Sequence, residues 1–123
     1  MKCFFIVDYK KNSGIGHLKR SLLIAKELNY LNNKIYFLCN QNFSDSDKKK
    51  IKFIKLENKS LKKNLIFIKK EIFLKCPDLI IFDTYEVDQK IIDYINKINI
   101  KIMVIHDYKF FNKNIHIYLN SNF

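Results

Sequence analysis

Gly14, Gly16, His17 and Arg20 are the residues of this chain whose types and spacing could do chemistry together. The chain holds two glycines, and both are here; of its 23 lysines and arginines, Arg20 alone is an arginine. A composition dominated by Lys, Asn, Ile and Phe would leave few glycines or arginines anywhere. Their concentration between Gly14 and Arg20 therefore points to a local chemical demand. Glycine tolerates positive φ and lets a ligand approach the backbone closely. The first turn of a helix carries N–H groups without helical partners, which attract anions, and the helix dipole adds to that pull. His17 and Arg20 are three residues apart, so they share one face near that positive end. There a charged imidazole is disfavoured, which leaves a neutral ring able to accept a proton. Arg20 offers a planar fork for a phosphate or hydroxyl oxygen. The same residues can also make a plain strand-to-helix turn. The pattern is not a dinucleotide fingerprint, whose third glycine is replaced by Lys19, and it lacks the Gly-Lys-Ser/Thr of a P-loop. A ligand site and a structural turn are thus the two readings of this stretch.

The elements that must position these residues follow from periodicity. Cys3 to Val7 is a short apolar run ending at Asp8, and it reads as a buried strand over 3–8. Leu18, Leu22, Ala25 and Leu28 recur at helical spacing, so a helix spans 16–30, with Asn29, Asn32 and Asn33 marking the turn out. Residues 34–39 read as the second strand and 52–56 as a third, more exposed one; a short helical turn around 46–50 is also considered. Ser60 is placed to cap a helix with the stripe Leu61, Leu65, Ile68 and Ile72 and with Lys62, Lys63, Lys69 and Lys70 towards water. Pro77 ends that region before a strand over 79–83. Val87, Ile91, Ile95 and Ile98 make another helical stripe, followed by strands over 100–105 and 115–119. Alternation of strands and helices predicts an α/β domain, a Rossmann-like parallel sheet with flanking helices and right-handed crossovers, over residues 1–119. Residues 120–123 begin a connection.

Asp8, Asp83 and Asp107 each follow an apolar strand run, so all three can face one crevice at the carboxyl ends of the strands. A carboxylate there can bind sugar hydroxyls or orient a histidine, and it can equally cap the following segment. Thr84 and Tyr85 follow Asp83 as polar contacts for the same crevice. His106 lies beside Asp107, but the spacing matches no metal-ligand motif and no metal is expected. His116 alternates with Ile115 and Ile117 as a solvent-facing strand residue. No Ser-His-Asp or Cys-His nucleophile is supported.

Composition narrows the class. At 123 residues, with 48% hydrophobic and 15% aromatic residues, the chain suits one globular domain with a single core. Cys3, Cys39 and Cys76 are odd in number and far apart, which predicts free buried thiols in a reducing compartment. The first apolar run is too short for a signal peptide, and no stretch approaches the roughly 20 apolar residues of a membrane span. A cytoplasmic protein is expected. The net charge of +11, with half of the 22 lysines between Lys48 and Lys75, raises nucleic acid or an anionic membrane as partners. Arginine and interleaved exposed aromatics are lacking there, which argues against nucleic acid and for a solvated lysine-rich face.

Asp8, the polar loop, Gly14-Ile15-Gly16-His17-Leu18-Lys19-Arg20 and the leucine-rich helix to Leu28 resemble the start of the UDP-sugar hydrolases of pseudaminic acid biosynthesis. These enzymes cleave UDP from a 2,4-diacetamido-2,4,6-trideoxy-altropyranose and have spore-coat polysaccharide proteins as relatives. The resemblance continues in order through 78–85, 102–107 and 119–122, where Asn122 matches an asparagine of the interdomain segment. It implies the amino-terminal domain of a glycosyltransferase-B (GT-B) architecture, two Rossmann-type domains with the active site between them. It implies His17 as the base that activates water against the anomeric carbon, with no metal and no cofactor. Asp8, Gly14, Gly16, Arg20, Asp83, Tyr85 and Asp107 are then substrate contacts for a UDP-linked amino sugar. Enzymes of this family are more than twice as long, and their second domain supplies most of the nucleotide-binding surface. The chain is therefore expected to be a truncated product, one half of a split enzyme completed by a second domain or chain, or a half put to another use. The alternatives to hydrolysis are transfer from a nucleotide sugar to an acceptor hydroxyl, or a non-catalytic domain.

Overall fold

The computed structural model describes residues 1–7, 15–41, 51–58, 60–84, 89–106 and 117–120, with backbone alone at 15–17, 106 and 117–120. The elements are β1 (Lys2–Val7), α1 (Ile15–Tyr30), β2 (Lys34–Cys39), β3 (Lys52–Lys55), a 3-10 turn (Lys62–Asn64), α2 (Leu65–Lys75), β4 (Leu79–Asp83), α3 (Gln89–Lys97), β5 (Lys101–His106) and β6 (Ile117–Asn120). The strands form one six-stranded sheet in the order β3-β2-β1-β4-β5-β6. Every neighbouring pair is parallel. This is the doubly wound Rossmann order, in which the winding reverses between β1 and β4. The α/β parallel fold expected from the alternating pattern is the fold observed, with element ends moved by one or two residues.

Side chains alternate across the sheet because successive Cβ atoms point to opposite faces. Phe4, Ile6, Leu38, Ile80 and Phe82 face the layer of α2 and α3. Cys3, Phe5, Val7, Phe37 and Ile81 face the layer that holds Ala25 of α1, against which Leu18, Leu22 and Leu28 also pack. Strand β1 is thus covered on both faces, which explains its unbroken apolar run. Phe5 stacks on Phe37 at 5.7 Å, and Phe37 meets Phe53 at 5.6 Å. Each such pair adds about 0.5–1.5 kcal/mol beyond the area it buries.

Four expectations are corrected. The lysine-rich stretch does not lack exposed aromatics, because Phe67 and Phe73 stand exposed among its lysines. Ser60 does not cap the second helix: the chain enters through the 3-10 turn, and no side chain caps either segment. Buried Asn64 organises this entry instead, donating to the carbonyls of Asn58 (2.8 Å) and Ser60 (3.0 Å) and accepting from the Asn58 N–H (3.2 Å). The stripe Leu61, Leu65, Ile68 and Ile72 does face the core as expected. On α3 the buried residues are Ile91, Ile92 and Ile95, whereas Ile98 is exposed. The helix stops at Lys97 and Asn99 takes a left-handed φ of 60°, which turns Ile98 out of the stripe. Of the cysteines, Cys3 and Cys39 are buried but Cys76 is exposed. Cys76 ends α2 at φ 48°, its N–H bonded to the Ile72 carbonyl at 2.9 Å, and Pro77 behind it cannot extend the helix. The turn at 46–50, Val87 and His116 lie outside the described residues.

Candidate functional site

Asp83 is the last residue of β4 and is in register with Val7, the last residue of β1. These two strands flank the point where the winding reverses. The chain leaves β1 for α1 on one face and leaves β4 towards α3 on the other, and it is at such diverging carboxyl ends that open α/β sheets form their ligand crevice. Helix α1 starts on this side of the sheet at Ile15, Gly16 and His17. Its first-turn N–H groups have no intrahelical acceptor, and the positive end of its dipole is directed to the same crevice.

A polar clamp holds that helix end against the sheet. The Arg20 Nη2 donates to Asp83 Oδ1 at 2.8 Å, and the Ser21 hydroxyl donates to Asp83 Oδ2. Asp83 and Ser21 are fully buried, and Thr84 beside them is nearly so. A buried carboxylate is tolerated only when charge and hydrogen bonds compensate its lost hydration, and Arg20 supplies both. The Arg20 side chain is 27% exposed, so the ion pair reaches from the core to the surface of the crevice. The arrangement fixes the position of the first turn relative to the strand ends, the property a site on a helix terminus requires.

The structure thus brings Arg20 and Asp83 into direct contact and sets Gly16 and His17 in the first turn that they anchor. Asp8, Gly14, Tyr85 and Asp107 lie outside the described residues. Two partners were not legible as such. In sequence Asp83 reads as a sugar contact or a cap and Arg20 as an anion contact; their mutual bond spans 63 positions of the chain. Ser21 is the residue the motif does not mark; its signal is a serine four residues before Ala25, a polar residue on the sheet-facing side of an apolar helix. Among the described residues no three His, Cys, Asp or Glu side chains gather into a possible metal site. No described helix is long and apolar enough to cross a membrane.

No protein-family model and no curated protein matches the chain. Among solved structures it is similar to the lipopolysaccharide outer core galactosyltransferase WaaB in its apo form, with a TM-score of 0.52 and 18% sequence identity. The match covers 85% of this chain and 32% of that one. The fold is Rossmann-like. At this identity the likeness speaks to architecture, and it agrees with the strand order and with the expected class. The chain spans about a third of the length of that transferase.

Proposed function

We propose that this domain is one wall of a nucleotide-sugar cleft and takes part in glycosyl transfer to an acceptor hydroxyl. The observation that carries this reading is the Arg20–Asp83–Ser21 clamp, which anchors the first turn of α1 at the switch point of the sheet. In this reading the turn from Gly14 to Gly16 lets the substrate approach the backbone, and the free N–H groups of the helix end meet a phosphate or sugar oxygen. His17, in the first turn of α1, is the base. It takes the proton of the acceptor hydroxyl as that oxygen bonds to the anomeric carbon. The bond from that carbon to the diphosphate breaks, and its electron pair leaves on the nucleotide. Arg20 keeps the surface edge of its guanidinium towards the anion, buried Asp83 orients Arg20, and Asp8, Tyr85 and Asp107 serve as supporting contacts. A second domain or chain supplies the rest of the nucleotide surface, and the substrate is a UDP-linked sugar. The structural likeness to a galactosyltransferase favours transfer.

Hydrolysis is the second reading, and the Gly-x-Gly-His-x-x-Arg motif favours it; water then replaces the acceptor hydroxyl at the same base. One experiment covers both. UDP release is measured from a panel of UDP-linked hexoses and diacetamido sugars, with the chain alone and with any second domain encoded beside it, with and without acceptor glycans. Release that requires both acceptor and His17 supports transfer, and release without acceptor supports hydrolysis. No release and no binding of UDP-sugar by the folded protein in either setting, or full activity of His17→Ala, refutes the proposal.

A further inference from the structure

Helix α2 is apolar on two sides. Its inner stripe is Leu61, Leu65, Ile68 and Ile72, packed in the core. On the outer side Ile66 is 87% exposed, Phe73 73%, Leu74 59% and Phe67 39%. At 100° per residue these four fall within an arc of roughly 120° opposite the core. Lys70 lies inside the same arc by spacing and Lys69 flanks it, while Lys63 of the preceding 3-10 turn lines a groove with Ile66 and Phe67. A surface helix of a globular domain ordinarily turns a polar face outward, so four large apolar side chains in one exposed patch mark a surface that something covers. A groove of about 390 Å³ opens at the start of α2, lined by Lys55, Lys63, Lys70, Ile66 and Phe67 with one carboxylate, Glu57. Cationic heads and apolar side chains therefore line one continuous face.

We infer that this outer face of α2 docks the domain on an anionic lipid bilayer. Ile66, Phe67, Phe73 and Leu74 enter the boundary between headgroups and acyl chains, while the lysines extend their apolar stems and pair with lipid phosphates. Charge complementarity selects this occupant. The segment from Ser60 to Lys75 carries five lysines and one acid, Glu71, and that acid is already bonded to Lys75. A second copy, with the same patch and a net charge of +11, would set like charges against each other. Nucleic acid would satisfy the lysines but offers no apolar phase to Ile66 and Phe73, whereas an anionic bilayer offers both. With 11 residues, α2 lies along such a surface and does not span it.

The test is co-sedimentation of the whole chain with vesicles of phosphatidylcholine alone or with about a third phosphatidylglycerol, at low and at raised salt. The expected result is binding to the anionic vesicles that weakens with salt. In Ile66→Ser/Phe73→Ser it falls about tenfold or more, because two apolar side chains no longer reach the acyl boundary. Lys63→Gln/Lys70→Gln weakens binding to anionic vesicles and flattens its salt dependence. All four residues are exposed or groove-lining, so both variants should keep the far-UV circular dichroism and urea midpoint of the parent. Absence of binding to anionic vesicles, equal binding by Ile66→Ser/Phe73→Ser, or a stable homodimer broken by that same variant overturns the inference. So does tighter retention on duplex DNA or RNA than on the vesicles.

Discussion

Removing the carboxylate of Asp83 should unseat the first helix from the sheet, and the size of the effect can be worked from its partners. Asp83→Ala deletes the acceptor of two donors, Arg20 Nη2 and the Ser21 hydroxyl. Ser21 is fully buried, and a buried hydroxyl deprived of its partner costs about 1–3 kcal/mol. Arg20 is 27% exposed and can turn part of its charge to water. The whole loss should therefore sit near the lower end of the ~3–5 kcal/mol seen when one partner of a buried pair is removed. Against a domain stability of about 5–15 kcal/mol, that is a large fraction. Ser21→Ala should cost only about 1 kcal/mol, since the charged pair survives. Removing both charges in Asp83→Ala/Arg20→Met should cost no more than Asp83→Ala alone, because no uncompensated cation remains. Urea unfolding followed by far-UV circular dichroism measures all three. A loss below about 1 kcal/mol for Asp83→Ala, or a double variant clearly less stable than Asp83→Ala alone, would refute the idea that this ion pair anchors α1.

Three further outcomes are expected. Asn99 and Asn32 occupy left-handed backbone at φ 60° and 68°, so Asn99→Val should destabilise by about 1–2 kcal/mol and Asn99→Gly should be neutral or stabilising, read from urea midpoints. In a chromogenic thiol assay of the native protein only exposed Cys76 should react quickly, with Cys3 and Cys39 reacting on unfolding. Burial pushes the Cys3 thiol above its ordinary value of 9.0, with the N-terminal amine pulling it down and Asp78 pushing it up. The native state therefore holds that proton longer than the unfolded chain. The associated stability is present below pH 9.0 and is lost as pH rises past it, a loss that Cys3→Ala should remove.

Much of the fold was legible because its signals are local. Cys3 to Val7 and Leu79 to Phe82 are apolar runs of strand length, and Leu18, Leu22, Ala25 and Leu28 repeat at the helical period. Where local reading went astray, a long-range or backbone effect decided. Ser60 has the right chemistry for a cap, but the Asn64 amide, bonded back to Asn58, starts the helix elsewhere. Ile98 continues the stripe on paper, yet the left-handed Asn99 stops the helix before it. Cys76 looks like its two buried counterparts in composition, and only its place at a helix end exposes it.

By itself the sequence determined the alternation of strands and helices, the faces that those elements bury, and the concentration of glycines, histidine and arginine at the start of the first helix. These depend on spacing within a few residues, where geometry is set by the backbone period. Tertiary structure decided the strand order, the pairing of Arg20 with Asp83 and the exposure of the outer face of α2. Each depends on which distant segments meet, and strand order 3-2-1-4-5-6 brings the end of β4 beside the end of β1 although 76 positions separate Val7 from Asp83. A carboxylate at a strand end reads the same whether it faces a ligand or an arginine. The sheet delivers Arg20 and Ser21 to this one.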